Sequence, residues 1–228
     1  MKSEPELDWA PVAVFASRMI HDFRNYLYGI GLEATLLSET ATDPESKQSV
    51  ARLQNQLQEA TEILKALSQK LSVTPPKLRS VSPTALFQVI HEEARKIEGI
   101  PQIVWDDQIP AVSVRVDPAN FAVVARELLE NAARFADEKP LLKISSRSRE
   151  GNVHFEFIER KSDPLSPENW GRKPFVFQQQ GGYGIGLWHA HRVVEANGGT
   201  LAQTFNTKTN ELYSTISFPV TESRACSE

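Results

Sequence analysis

The chain has 228 residues, 40% of them hydrophobic and 24% charged, the make-up of a folded globular protein with room for two small domains. Its 25 basic and 29 acidic residues leave a net charge of −4, and no basic stripe marks a nucleic-acid or anionic-membrane surface. The N-terminus is acidic where a secretory signal would be basic and then apolar, and no apolar run approaches the ~18 residues of a membrane span. The single cysteine, Cys226 in the polar tail, has no internal disulfide partner, so a cytosolic protein is expected, with no sensor domain of its own.

From about Pro11 to Glu39, Ile20, Phe23, Leu27, Ile30, Ala34 and Leu37 recur at alternating steps of three and four. That is the stripe of one long amphipathic helix. Just outside it stands His21, within Ile20-His21-Asp22-Phe23-Arg24-Asn25-Tyr26-Leu27. Positions i and i+4 share a helix face, so His21 and Asn25 point the same way, and Asp22 beside them is a candidate proton acceptor for the imidazole. A histidine so placed suits a nucleophile, although a lone helix histidine is more often a surface or capping residue.

Thr40 to Pro44 is a polar break in which Asp43-Pro44 fits an N-cap followed by proline at the first helical position. A second helix is expected from Glu45 to about Leu71, with Val50, Leu53, Leu57, Ala60, Leu64, Leu67 and Leu71 in a heptad pattern. Two such helices make an antiparallel hairpin. A single hairpin leaves its seam uncovered. Pairing two hairpins in a homodimeric four-helix bundle covers it, the alternative being a seam packed on the domain that follows.

Residues 73–82, with Pro75-Pro76, read as a linker. A mixed pattern follows. Helices are expected over Pro83–Ile97, Pro118–Ala136 (opened by Asp117) and Tyr183–Ala196 (closed by Asn197-Gly198-Gly199). Strands are expected at Ile103–Trp105, Val112–Val116, Leu141–Ser146, Val153–Ile158, Thr200–Phe205 and Leu212–Phe218. Three helices over one sheet form a two-layer α+β sandwich.

Two stretches of this part carry chemistry. Glu127, Asn131 and Arg134 stand at i, i+4 and i+7, a polar row flanked by Leu128, Leu129 and Ala132. Carboxylate and amide oxygens suit a hard cation, and a guanidinium suits phosphate; a solvated helix face is the plainer alternative. The second stretch, Gly181-Gly182-Tyr183-Gly184-Ile185-Gly186-Leu187, opens directly into a helix. Glycine lets the backbone approach an anion, and a helix N-terminus offers free N–H groups and a favourable dipole.

Together these residues resemble the catalytic core of two-component sensor histidine kinases. His21-Asp22-x-x-Asn25-x-Leu27 matches the phospho-acceptor box, Glu127 to Phe135 the asparagine box, and Gly181 to Leu187 the second glycine box, with Asn197-Gly198-Gly199-Thr200 after it. The likeness runs from about Val14 to Pro219. It implies an α + α/β architecture: a dimerisation and histidine-phosphotransfer hairpin over 10–72, a linker over 73–82, a Bergerat (GHKL-type) ATP-binding sandwich over 83–220, and a tail over 221–228. By the same resemblance His21 takes the γ-phosphoryl group of ATP with Asp22 as general base, and Asn25 positions water for dephosphorylating a response regulator. Asn131 is the Mg²⁺ ligand, Glu127 its neighbour, Arg134 a phosphate contact, and Phe135 lies against the nucleotide. Gly182, Gly184 and Gly186 form the backbone on the phosphate side. The implied partners are a second copy of the chain, a receiver domain and a separate sensor protein.

One box departs from the pattern. Where the family has Asp-x-Gly-x-Gly, this chain has Glu159-Arg160-Lys161-Ser162-Asp163. Glu159 falls at the adenine-binding aspartate, and Lys161 and Asp163 replace the glycines, which removes backbone freedom and adds bulk. The lid between Phe175 and Gly181 is short as well. Three functions stay open: an ATP-dependent histidine kinase, a histidine phosphotransferase of a phosphorelay with a decayed ATP site, and a non-catalytic dimeric scaffold. His91, His154, His189 and His191 match no motif and are assigned no role.

Overall fold

The structure, a computed structural model, describes residues 9–106, 110–137, 141–167, 169–175 and 184–221. It divides the chain into two compact units that meet between Val73 and Thr74.

The first unit is a helical hairpin. Helix α1 (Trp9–Thr40) and helix α2 (Pro44–Leu71) are joined by a three-residue turn and pack along one another. The turn is set by Asp43, whose carboxylate accepts the Ser46 N–H at 2.7 Å and caps α2 ahead of Pro44. The hairpin divides the apolar stripe of α1 in two. Ile20 and Ala34 are buried and Leu27 is half-buried, whereas Phe23, Ile30 and Leu37 remain 51%, 47% and 54% exposed.

The second unit holds a sheet of seven strands, β1 (Arg79–Val81), β2 (Gln102–Asp106), β3 (Ser113–Val116), β4 (Leu141–Arg149), β5 (Asn152–Arg160), β6 (Thr200–Asn206) and β7 (Glu211–Thr221). Their order is β1-β3-β7-β5-β4-β2, and β6 shares one edge of β7 with β3. Among the described strand pairs only β2–β4 is parallel. Three helices complete the unit: α3 (Pro83–Ala94), α4 (Pro118–Arg134) and α5 (Gly186–Ala196). Period-two burial along β5 (Val153, Phe155, Phe157) and β7 (Leu212, Ser214, Ile216, Phe218) gives the sheet one dry face. Phe121 of α4 lies against Phe155 and Phe218 of that face, with ring centroids 5.1 and 6.2 Å apart. Leu86 and Ile90 of α3 and Ala190 and Val194 of α5 are buried with them.

Three local expectations are corrected. Residues 79–81, read as linker, form β1 by pairing with Val114–Val116, because a strand so short is defined by its non-local partner. Helix α3 ends at Ala94, three residues early, where Lys96 and Ile97 donate to the carbonyls of Glu93 and Ala94 in tighter i→i+3 turns. Helix α5 begins at Gly186, and Tyr183 lies outside the described residues.

The two helices that matter most for a site are tied together by one side chain. Asn197 is buried at the end of α5. Its Nδ2 donates to the Val193 carbonyl at 2.8 Å, and its Oδ1 accepts the backbone N–H of Asp117 at 2.8 Å, just ahead of α4. Asp117 in turn caps α4 through Ala119 N–H at 2.9 Å and accepts Lys77 N–H at 2.8 Å. Gly198 follows with φ +76°, the left-handed geometry that glycine adopts freely.

Candidate functional site

The first unit presents its chemistry on the outside of α1. The side chains of His21 and Asp22 are 71% and 73% exposed. The His21 Nδ1 lies 3.4 Å from Asp22 Oδ1 and 3.4 Å from Asn25 Nδ2. One imidazole nitrogen therefore faces both groups, donating to Asp22 when it carries the proton and accepting from Asn25 Nδ2–H when it does not. In the tautomer that donates Nδ1–H to the Asp22 carboxylate, the lone pair is on Nε2, which is then the nucleophilic atom. Nine residues, about two and a half turns at 3.6 residues each, separate His21 from Ile30. The exposed row Phe23–Ile30–Leu37 and the histidine thus lie on opposite sides of the helix. Val14 and Tyr28, one heptad either side of His21, share its face and are exposed, as is Leu32.

In the second unit, α4 carries the polar row. Glu127 is buried, Asn131 half-buried and Arg134 exposed, a gradient that follows the helix from under the sheet to its open end. Phe135 caps the helix, donating its N–H to the Asn131 carbonyl at 3.0 Å, with its ring partly exposed. The segment that leaves β5 runs to the same place. Lys161 Nζ donates to Glu159 Oε2 at 2.7 Å and to the Phe135 carbonyl at 2.9 Å. Its backbone N–H donates to the Asn210 carbonyl at 2.8 Å, and Ser162 N–H donates to Asp137 Oδ2 at 2.6 Å. Glu159 and Phe135, singled out separately in the sequence, are thus brought together. What joins them is a lysine that sequence reasoning treated as added bulk and lost backbone freedom. The strand period held the signal, since residues i and i+2 of an extended chain share a face. Asp163 is exposed.

Of the glycine cluster, Gly184 takes φ +65° and its carbonyl accepts Phe175 N–H at 3.2 Å, while Gly186 opens α5. Gly182 and most of the short lid fall outside the described residues. Among the described residues no side chain caps α5, whose N-cap position is Ile185, and the amides of a helix's first turn have no partner within the helix.

Asn131 and Glu127 offer oxygens to a divalent cation, and among the described residues no cluster of three acidic, histidine or cysteine side chains exists. A cation here would therefore rely on one or two protein oxygens and on phosphate, as Mg²⁺ commonly does. The phosphate end fits: Arg134, the α5 N-terminus and the Gly184 turn suit anionic oxygens. The base end fits only if Lys161 gives way. Three of the other histidines have partners within the sheet unit. His91 stacks on Trp105 with centroids 3.5 Å apart, His154 Nδ1 lies 2.7 Å from Ser217 Oγ, and buried His191 Nε2 lies 3.2 Å from Gln203 Oε1.

Comparison with solved structures resolves the architecture. Full-length ShkA, crystallised in complex with AMPPNP, aligns over 90% of this chain and 45% of its own, at 21% identity and a TM-score of 0.61. The fold is that of the histidine kinase catalytic core. ThkA, in its complex with the response regulator protein TrrA, aligns over 91% of this chain and 61% of its own, at 19% identity and a TM-score of 0.54. The mycobacterial sensor histidine kinase MprB aligns over 63% of this chain and 97% of its own, at 16% identity and a TM-score of 0.50. The chain thus spans less than half the length of ShkA and about three-fifths of ThkA. No protein-family model matches the sequence, and no curated protein matches it. A helical hairpin followed by a mixed α/β sheet unit is the fold shared with these structures.

Proposed function

We propose that this chain is a cytosolic signalling protein of histidine-kinase type, in which His21 accepts a phosphoryl group from ATP and exchanges it with an aspartate on a receiver domain. The arrangement of His21, Asp22 and Asn25 carries this reading. An exposed imidazole whose Nδ1 faces a carboxylate has its Nε2 lone pair ready for phosphorus. As the N–P bond forms and the P–O bond to the leaving group breaks, the ring gains positive charge, and the Asp22 carboxylate offsets it while holding the Nδ1 proton. Asn25, on the same face, is placed to orient water against a phosphorylated partner.

Bound ATP would supply the phosphoryl group, Mg²⁺ offsetting its charge. Glu127 and Asn131 would hold the cation, Arg134 and the amides opening α5 the phosphates, and Phe135, Gly182, Gly184 and Gly186 would border the nucleotide. Positioning and charge compensation account for most of phosphoryl-transfer catalysis, and these residue types provide both. The likeness to ShkA, whose complex holds AMPPNP, and to ThkA, whose complex holds TrrA, supports the choice of nucleotide and partner.

Dimerisation fits the same account. The open row Phe23, Ile30 and Leu37 is what a second hairpin would cover, and its position opposite His21 leaves the histidine and its exposed neighbours Val14, Tyr28 and Leu32 for a receiver domain. Among the described residues no helix is long and apolar enough to cross a membrane.

One observation favours a second reading, a phosphotransferase that loads His21 from a phosphorylated receiver. Lys161 already holds the Glu159 carboxylate that a base would need. Incubation with γ-labelled ATP and Mg²⁺, and in parallel with a phosphorylated receiver domain, separates the two. Label on His21 from ATP, absent in His21→Gln, supports the kinase. Loading from the receiver alone supports the phosphotransferase, and loading from neither refutes both.

A further inference from the structure

The pair of Lys161 and Glu159 is not an ordinary surface ion pair. The two side chains are only 10% and 13% exposed, and their closest atoms are 2.7 Å apart. A lysine usually keeps its ammonium in water. Here the ammonium is folded inward and donates to both the carboxylate and the Phe135 carbonyl. The backbone is anchored on each side of it, by Lys161 N–H on the Asn210 carbonyl and by Ser162 N–H on Asp137. The placement is therefore built into the chain between β5 and the end of α4.

We propose that Lys161 is a tethered competitor for the base of a nucleotide. Its ammonium takes the acceptor on Glu159 to which the exocyclic amino group of a 6-aminopurine would donate. This rests on the reading above that the end of α4 and the end of β5 border a nucleotide site. The chemistry of the two donors is the same, an N–H aimed at a carboxylate oxygen. The lysine is charged and the amino group is neutral, so only the lysine adds an ion–ion attraction to its hydrogen bond with the carboxylate. The lysine is also already in place, so it loses no freedom on binding, whereas an incoming base must displace it and leave an ammonium to be resolvated. Selectivity changes as well. A free Glu159 carboxylate would favour a 6-amino group and repel a 6-oxo oxygen, because discrimination arises from the group the site leaves unpaired. With Lys161 in place that discrimination is masked.

The test is calorimetric titration of the full chain with Mg²⁺·ATP and with Mg²⁺·inosine triphosphate, which carries oxygen where adenine has the amino group. Wild type is compared with Lys161→Met, which keeps the apolar stem, with Lys161→Gly, which removes it, and with Lys161→Arg, which keeps a cationic donor. Circular dichroism checks that each is folded. Wild type and Lys161→Arg should bind both nucleotides weakly and alike. Lys161→Met and Lys161→Gly should each bind ATP at least about tenfold tighter, one decade in Kd, with little change for inosine triphosphate. Equal gains for the two nucleotides would overturn the proposal, since they would reflect space and not a freed acceptor. Equal ATP affinity in wild type and all three variants, lost on Asn131→Ala, would also overturn it while leaving the nucleotide site standing. No binding in any chain would overturn both.

Discussion

Replacing Asn197 by alanine should loosen the frame that holds α4 and α5 together. The side chain is 4% exposed and makes two hydrogen bonds of 2.8 Å, one to the Val193 carbonyl and one from the Asp117 N–H. These losses are unequal. The Val193 carbonyl still accepts the backbone N–H of residue 197 at 3.2 Å, so it keeps a partner. The Asp117 N–H loses its acceptor at a part-buried position, and an orphaned donor of this kind costs about 1–3 kcal/mol. With the second bond worth about 1 kcal/mol, the total is about 2–4 kcal/mol. At ~2–4 °C per kcal/mol for a chain of this size, the melting point should fall by roughly 4–16 °C. Urea unfolding followed by tryptophan fluorescence reads the change where it occurs, because Trp105, Trp170 and Trp188 lie in the second unit and only Trp9 in the first. Asn197→Asp keeps an acceptor for Asp117 N–H but sets a buried carboxylate oxygen against the Val193 carbonyl, so it should not recover the loss. A midpoint unchanged by Asn197→Ala would refute the bridging role.

Gly199→Ala should destabilise the same unit by about 1–3 kcal/mol through overpacking, because the added Cβ would stand 2.6 Å from the Phe218 ring and the Ser217 carbonyl; a thermal melt equal to wild type would contradict this. Ile30→Asp, which places a charge in the open row of α1, should convert the proposed dimer to a monomer in sedimentation; equal coefficients for variant and wild type would remove that row from the interface. Stability should fall as pH falls, first below about 6.5 and again below about 4.5. Burial lowers the His191 pKa from 6.5. Burial alone would raise that of Glu93 from 4.5, but hydrogen bonds from Lys96 and Arg126 more than reverse it. Asp117, holding the Lys77 N–H, is lowered from 3.8. Each group binds fewer protons folded than unfolded between its two pKa values, so ∂ΔG/∂pH is positive there. Urea midpoints that rise on acidification from pH 7 to 4 would contradict the sign.

What the sequence made legible was local or periodic. The caps at Asp43 and Asp117, each followed by proline, and the turn at Asn197-Gly198 are chemistry within a few residues, and the period of α1 placed His21 beside Asn25. Strand β1 was not legible, because three residues between prolines become a strand only on meeting Val114–Val116. The early end of α3 turned on i→i+3 bonds that weak propensities do not forecast. For the site, the polar row of α4 could be read from spacing, yet its gradient from buried Glu127 to exposed Arg134 needed the sheet. The departure at Glu159 and Lys161 was visible, but its meaning required the carbonyl of Phe135, 26 residues away in the chain. Reading Lys161 by size and backbone freedom missed a donor finding an acceptor.

The central claim is that His21 carries phosphate on the nitrogen turned away from Asp22. Phosphorus NMR of the chain loaded with phosphoramidate, a donor that needs no nucleotide site, tests it most directly, because the Nε2 and Nδ1 phosphohistidine isomers resonate apart. One acid-labile signal of the Nε2 isomer is expected, missing in His21→Gln and partly redistributed to the Nδ1 isomer in Asp22→Ala. A dominant Nδ1 signal, or a signal that survives His21→Gln, would contradict it.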